Sequence, residues 1–153
     1  MRLLIALLVV FLLSAPTLAN QTITGVASVI DGDTIEIHGH RIRLFGIDAP
    51  GSSQLCQKEG KSYRCGQEAA FALADKIGKQ IVTCEEQDID RYQRVVAICF
   101  AVGIDLNQWM TAQGEALAYR RYSMRYVADE EKGQGGTSGA LGCCVPAALG
   151  LPA

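Results

Sequence analysis

A chain of 153 residues, 49% of them hydrophobic, is long enough for one domain with its own core and too short for two. Its 14 basic and 16 acidic residues give a net charge of −2. That balance excludes a protein that grips nucleic acid through a broad basic surface, because such binding rests on many Lys and Arg contacts to phosphate.

The chain opens on Arg2, an unbroken apolar run from Leu3 to Leu13, and small residues around Thr17-Leu18-Ala19. This is the pattern of a secretory signal, residues 1–19, cleaved after Ala19. The run is shorter than the roughly 20 apolar residues that span a bilayer, so a secreted or periplasmic mature protein without stable membrane association is expected. Loss of the leader removes Arg2 and no acid, taking the 14 basic residues to 13 against 16 acidic ones, a net charge of −3.

Val, Ile and Thr dominate Thr22 to Ile30. Thr34 to Ile37 resumes the pattern after an Asp31-Gly32 turn signal, and Arg41 to Ile47 follows His38-Gly39-His40, giving a three-strand meander. The two histidines flank a turn glycine and are assigned no role. A polar loop from Gly51 to Arg64 leads into Cys65 to Lys79, where Ala70, Leu73, Ala74 and Ile77 recur at helical spacing and Gly78 can end the helix. Ile81 to Glu85 and Val95 to Ala101 read as two more strands around an Asp90-Arg91-Tyr92 corner. Asp105 is a helix N-cap with Gln108 three residues on; Leu106, Trp109 and Met110 supply the apolar stripe and Gly114 the stop.

The order βββαββα, with short strands and frequent turns, predicts an antiparallel α+β protein built as a small barrel with packed helices across residues 20–132. From Gly133 to Ala153 there is no charged residue, and this Gly-rich stretch is predicted to be a tail without packed structure. Six cysteines in an exported chain point to disulfides rather than a metal cluster, since no C-x-x-C or His-rich spacing accompanies them. Cys56 and Cys65 bracket a short loop, while Cys84 and Cys99 lie almost symmetrically about the turn near Ile89 to Gln93. A loop-closing or cross-strand bond fits each pair; two buried thiols fit Cys84 and Cys99 equally well.

Two segments carry chemistry: Ile30-Asp31-Gly32-Asp33-Thr34, and Arg43 to Pro50. Taken singly, each is an ordinary turn or strand end. Together they set carboxylates and an arginine within one meander. Oxygen ligands of this kind suit a hard cation such as Ca²⁺, whereas zinc would favour His or Cys. Arg43 and Asp48 would point to opposite faces of a regular strand, so to share a site Asp48 must lie beyond it, in the bend before Pro50.

The run D-G-D-T, then R-L-x-G-I-D-A-P, then D-R-Y-x-R at Asp90 to Arg94 resembles, in this order and spacing, staphylococcal nuclease and its bacterial relatives over about residues 22 to 130. The resemblance implies a five-stranded antiparallel OB-type barrel with two to three packed helices, monomeric, that hydrolyses DNA or RNA, single strands favoured, to 3′-phosphate ends. It makes Asp33 and Asp48 the Ca²⁺ ligands together with the backbone carbonyl of Ala49, puts Asp31 in support, and makes Arg43 and Arg94 the groups that grip the scissile phosphate. A planar guanidinium can bond two phosphate oxygens and stabilise the added charge of a five-coordinate transition state, while the metal polarises the same group and positions the water. Tyr92 matches a position beside the bound nucleotide, and Tyr119 and Tyr122 fall where ring contacts are expected, since aromatic faces stack on unpaired bases without reading sequence. Packing explains Tyr119 and Tyr122 equally well. Arg120, Arg121 and Arg125 form a basic run beside them.

One departure bears on turnover. The family motif continues D-A-P-E, and that glutamate is assigned as the base for the attacking water; here the position is Gly51. A positioned base contributes on the order of 10²–10⁴-fold, so its loss weakens hydrolysis without abolishing metal or nucleotide binding. Glu59, in the same loop, is the candidate substitute. Two other readings follow: an OB module that binds nucleic acid or nucleotide phosphate without cleaving it, and, because the chain is also similar to a small exported nuclease-like protein of rhizobial succinoglycan gene clusters, an accessory role in exopolysaccharide biosynthesis.

Overall fold

The computed structural model describes residues 21–135. The segment expected to be a leader, 1–19, and the part of the expected tail beyond Gly135 lie outside the described residues. Strands β1 (Thr22–Asp31), β2 (Thr34–Ile37) and β3 (His40–Leu44) form the meander, paired antiparallel with Val29 opposite Ile35 and Ile35 opposite Ile42. The β2–β3 turn is the pair His38-Gly39, with φ of 52° and 80°; two such left-handed residues give a turn whose twist matches that of the strands it joins.

β3 stops at Leu44 because the chain turns at Gly46, whose φ of 72° glycine adopts without penalty. The single strand expected over Arg41 to Ile47 is therefore two, the second being β4 (Ile47–Asp48). The polar loop holds a small hairpin, β5 (Cys56–Lys58) and β6 (Lys61–Tyr63), tied at its base by a Cys56–Cys65 disulfide. Helix α1 (Cys65–Ile77) buries Ala69, Leu73 and Ile77 and ends at Gly78. β7 (Ile81–Ile89) runs four residues further than its apolar pattern; β8 (Val95–Ala101), β9 (Ile104–Asp105) and α2 (Leu106–Ala112) follow. Asp105 caps α2 by accepting the Gln108 N–H at 2.9 Å. The chain then forms β10 (Leu117–Ala118), which pairs with β4, and α3 (Val127–Gly135).

β1 lies between β2 and β7, β7 pairs with β8, and β8 pairs with β3, which closes a five-stranded barrel. The closing pair is parallel, with Arg43 opposite Val96, so the barrel is mixed rather than antiparallel throughout. The reason is topological: parallel neighbours need a long crossover, and α1 with β7 supplies one between β3 and β8. The core is filled by Ile35, Ile37, Ile42 and Leu44 from the meander, Leu73 and Ile77 from α1, and Leu106 and Met110 from α2. Cys84 and Cys99 face each other across β7 and β8 and are bonded, with Cα atoms 4.0 Å apart. Of the two readings open for this pair, the cross-strand bond holds.

α3 packs on α2. Tyr126, just before it, is buried and donates its hydroxyl to Asp105 at 3.1 Å, and a Cβ on Gly133 would collide with the Thr111 carbonyl. The last turn, Gly133–Gly135, thus carries helical structure past Lys132. No helix of the described residues is long and apolar enough to cross a membrane.

Candidate active site

Arg43 points outward from β3, next to the barrel seam. Its Nη2 donates to Asp48 Oδ1 at 2.7 Å and lies 3.1 Å from Asp33 Oδ2. Asp33 sits in the β1–β2 turn, and that turn is pressed against its surroundings: a Cβ on Gly32 would come within 2.8 Å of the Cβ atoms of Ala49 and Ala69. The Thr34 hydroxyl donates to Asp33 Oδ1 at 2.9 Å and the Ala49 N–H to Oδ2 at 3.3 Å. Burial pushes the Asp33 carboxyl above the usual carboxylate range, against the opposing pull of Arg43. Burial alone would weaken the charge on Arg43, but Asp33 and Asp48 outweigh it and hold the guanidinium more firmly protonated than usual. Asp48 reaches this cluster because the Gly46 turn separates β4 from β3, and because Asp48 pairs with Leu117 on β10.

The second wall is the turn between β7 and β8. Asp90 Oδ1 accepts the N–H groups of Tyr92 and Arg94 at 2.8 and 2.9 Å, and Oδ2 accepts the Arg94 Nε at 2.7 Å. Burial would raise the Asp90 carboxyl, but these bonds outweigh it and hold it below its usual range. The guanidinium groups of Arg91 and Arg94 lie 5.0 and 5.5 Å from the Tyr92 ring centre, a cation–π arrangement. The rings of Tyr119 and Tyr122 are 5.2 Å apart, and the Tyr119 N–H donates to the Gly46 carbonyl at 2.8 Å.

These walls enclose a cleft of about 560 Å³ lined by Arg43, Arg94, Tyr92, Tyr119 and Tyr122. A model of the staphylococcal nuclease homologue family matches residues 41–134.

The chain belongs to the staphylococcal nuclease family. Its five-stranded barrel with three helices is the OB-type fold of that family. The succinoglycan biosynthesis protein ExoI of Rhizobium meliloti (strain 1021) is 45% identical over 115 residues, covering 73% of this chain and 60% of that protein. A protein of Haemophilus influenzae named as an uncharacterized endonuclease is 30% identical over 126 residues, covering 79% and 66% of the two chains. A micrococcal nuclease of Shigella flexneri is 33% identical over 131 residues, covering 77% and 70%. The chain therefore spans less than two thirds of the length of the first two of these relatives.

Of the residues given a role from the sequence, Arg43, Arg94, Tyr92, Tyr119 and Tyr122 share one cleft. Asp33 and Asp48 stand behind Arg43, joined to it by ion pairs rather than lining the cleft. Asp31 Oδ1 accepts the Ser52 N–H at 2.8 Å and so anchors the loop that follows Pro50. Glu59 is not brought to the cleft: it occupies the exposed β5–β6 turn, with φ of 52°. Of the basic run, only Arg121 lines the cleft; Arg120 is bound to Glu130 at 2.6 Å and Arg125 lies 3.8 Å from Asp105. Sequence reasoning gave no role to Arg91, Arg121 or Asp88 in the cleft, nor to Asp90 as the clamp on Arg94. The signal for the clamp was present, since an Asp at a turn four residues before an arginine can bond both the turn backbone and that side chain.

Asp33 and Asp48 converge on one cationic nitrogen, and two carboxylates are oxygen donors of the kind that suits a hard cation. No group of three or more His, Cys, Asp or Glu able to hold a metal occurs among the described residues. The two disulfides fit an oxidising compartment outside the cytoplasm.

Proposed function

We propose that the mature chain is an exported, monomeric, calcium-dependent endonuclease that hydrolyses single-stranded DNA or RNA to 3′-phosphate ends, slowed by Gly51 at the position of the base. The observation that carries this reading is Arg43, held between Asp33 and Asp48 and facing the same cleft as Arg94 and three tyrosines. Asp90 occupies the Nε of Arg94 and leaves its two terminal nitrogens for phosphate. Arg43 and Arg94 seat the scissile phosphate and offset the charge it gains in the transition state. Tyr92, Tyr119 and Tyr122 stack on flanking bases. Asp33, Asp48 and the Ala49 carbonyl would hold Ca²⁺, which when bound polarises the phosphate and orients the attacking water.

Gly51 favours a second reading, a module that binds nucleic acid in the same cleft without turning it over. The 45% identity to a protein named for succinoglycan biosynthesis supports a third, an accessory role in exopolysaccharide production. Purified mature protein incubated with single-stranded DNA and RNA in Ca²⁺ or EDTA, beside Arg43→Ala, separates enzyme from binding module. The expected outcome is calcium-dependent cleavage to 3′-phosphate ends that falls by roughly 10²-fold or more in the variant. Tight binding without cleavage in either condition overturns the enzyme.

A further inference from the structure

Asp88 lines the cleft but has no part in the chemistry above, and it is there because β7 carries a bulge. From Val82 opposite Ala101 to Glu86 opposite Ala97 the β7–β8 register is regular; beyond it Asp88, not Gln87, faces Val96. The extra residue reverses the alternation of side chains, and bulges re-aim the residues that follow them. In an unbroken register Gln87 would stand opposite Val96 and Asp88 would take the barrel-facing side. Val96 is also the partner of Arg43 on β3. Arg43, Val96 and Asp88 therefore form one row across three neighbouring strands, and all three line the cleft. The row sets a carboxylate two strand spacings, about 10 Å, from the arginine that would hold the phosphate.

Asp88 is exposed, and among the described residues only its Oδ1 is engaged, by the N–H of Ile89 at 2.8 Å. An ionised carboxylate is an acceptor only. Beside a base stacked on Tyr92 it would bond N–H groups on the base edge. Guanine offers two adjacent ones, at N1 and the 2-amino group, which match the two oxygens of a carboxylate. Cytosine and adenine offer one amino group. Thymine and uracil flank their single N–H with carbonyl oxygens that repel a carboxylate.

We propose that Asp88 is a specificity-determining residue that favours guanine, and after it the other amino-bearing bases, over thymine or uracil at the nucleotide beside the phosphate on Arg43. This rests on the nucleic-acid reading of the cleft given under Proposed function. Wild type, Asp88→Asn and Asp88→Glu are given oligothymidylate strands that are uniform or carry one G, A or C. Cut positions are mapped in Ca²⁺, and affinities are measured by fluorescence anisotropy in EDTA, where turnover plays no part.

Wild type is expected to cut beside the G and to bind that strand roughly tenfold more tightly than the uniform one. Asp88→Asn, which keeps the Oδ1 acceptor but can also donate to carbonyls, levels both preferences, and Asp88→Glu retains part of them. An unchanged base pattern in Asp88→Asn overturns the proposal, as does an equal rise in affinity for every strand, which would mean simple charge repulsion. If no strand is cut but a binding preference is present in wild type and lost in Asp88→Asn, the nuclease reading fails while the assignment of Asp88 stands.

Discussion

A Cβ placed on Gly51 would meet no heavy atom within 4 Å, and Gly51 is not among the glycines with positive φ. The site therefore accepts a side chain without strain, so the missing carboxylate can be restored where the family motif has it. Gly51→Glu is expected to raise kcat by about 10²-fold or more, with Gly51→Gln giving no comparable gain, because only the carboxylate can take a proton from water. Steady-state cleavage of a single-stranded substrate checks this, beside Glu59→Gln; loss of activity in the latter with no gain in Gly51→Glu would assign the base to Glu59. Asp33 makes the opposite kind of prediction. Its carboxyl is held above the usual range by burial, so its contribution to stability is fullest in acid, where it is protonated, and is lost as pH rises through its folded-state value. Asp33→Asn should then melt higher than wild type at neutral pH without metal, with the difference closing as pH falls into the carboxylate range. On the proposed calcium reading, Ca²⁺ should raise the melting temperature of wild type and leave that of the variant unchanged. Melting curves against pH, with and without Ca²⁺, test both; a variant less stable at neutral pH without metal would contradict the burial argument.

At the scale of elements, the disulfides hold different things. Cys84–Cys99 staples two strands inside the core, whereas Cys56–Cys65 staples the β5–β6 hairpin to the first residue of α1. The Gln54 carbonyl accepts the Gly66 N–H at 3.4 Å, and the Ser52 N–H reaches Asp31 at 2.8 Å, so this second bond is linked through the loop to the turn that carries Asp33. Replacing either pair with alanine should cost about 3 kcal/mol of unfolding free energy, the chain-entropy scale for loops of this size, read by denaturant melts. Only the Cys56/Cys65 change should also weaken Ca²⁺ binding by calorimetry, and equal affinities in the two variants would refute the link.

The elements legible in the sequence were those with local signals: alternating Val, Ile and Thr with turn residues for β1 to β3, helical apolar spacing for α1, and an N-cap for α2. The parallel β3–β8 seam was not legible, because no local pattern records which strand closes a barrel. Nor was α3, whose V-A-D-E-E-K-G-Q-G segment has no apolar stripe and is held by Tyr126 and by the close approach of Gly133 to α2. At the site, the motif residues were legible through spaced motifs, but their meeting depends on the Gly46 break and the pairing of Asp48 with Leu117, and the turning of Asp88 into the cleft depends on a bulge.

The whole molecule is mildly acidic, with a net charge of −2, yet its cleft gathers Arg43, Arg91, Arg94 and Arg121. A negative surface gives no long-range attraction to a polyanion, so on the proposed reading binding rests on these few guanidinium groups and on stacking against tyrosines. Counterion release then sets a measurable ceiling. For single strands the slope of log affinity against log salt is about −0.7 per phosphate neutralised, so three to four contacts predict roughly −2 to −3. Arg91 and Arg94 share Tyr92, and Arg94 is already paired with Asp90, which argues for the shallower end of that range. Anisotropy titrations of a single-stranded oligonucleotide in EDTA across a series of NaCl concentrations give the slope. Arg43→Ala should reduce it by just under one. A much steeper wild-type slope would require more phosphate contacts than the cleft has arginines, and the strand would then have to lie across surface well beyond the barrel seam.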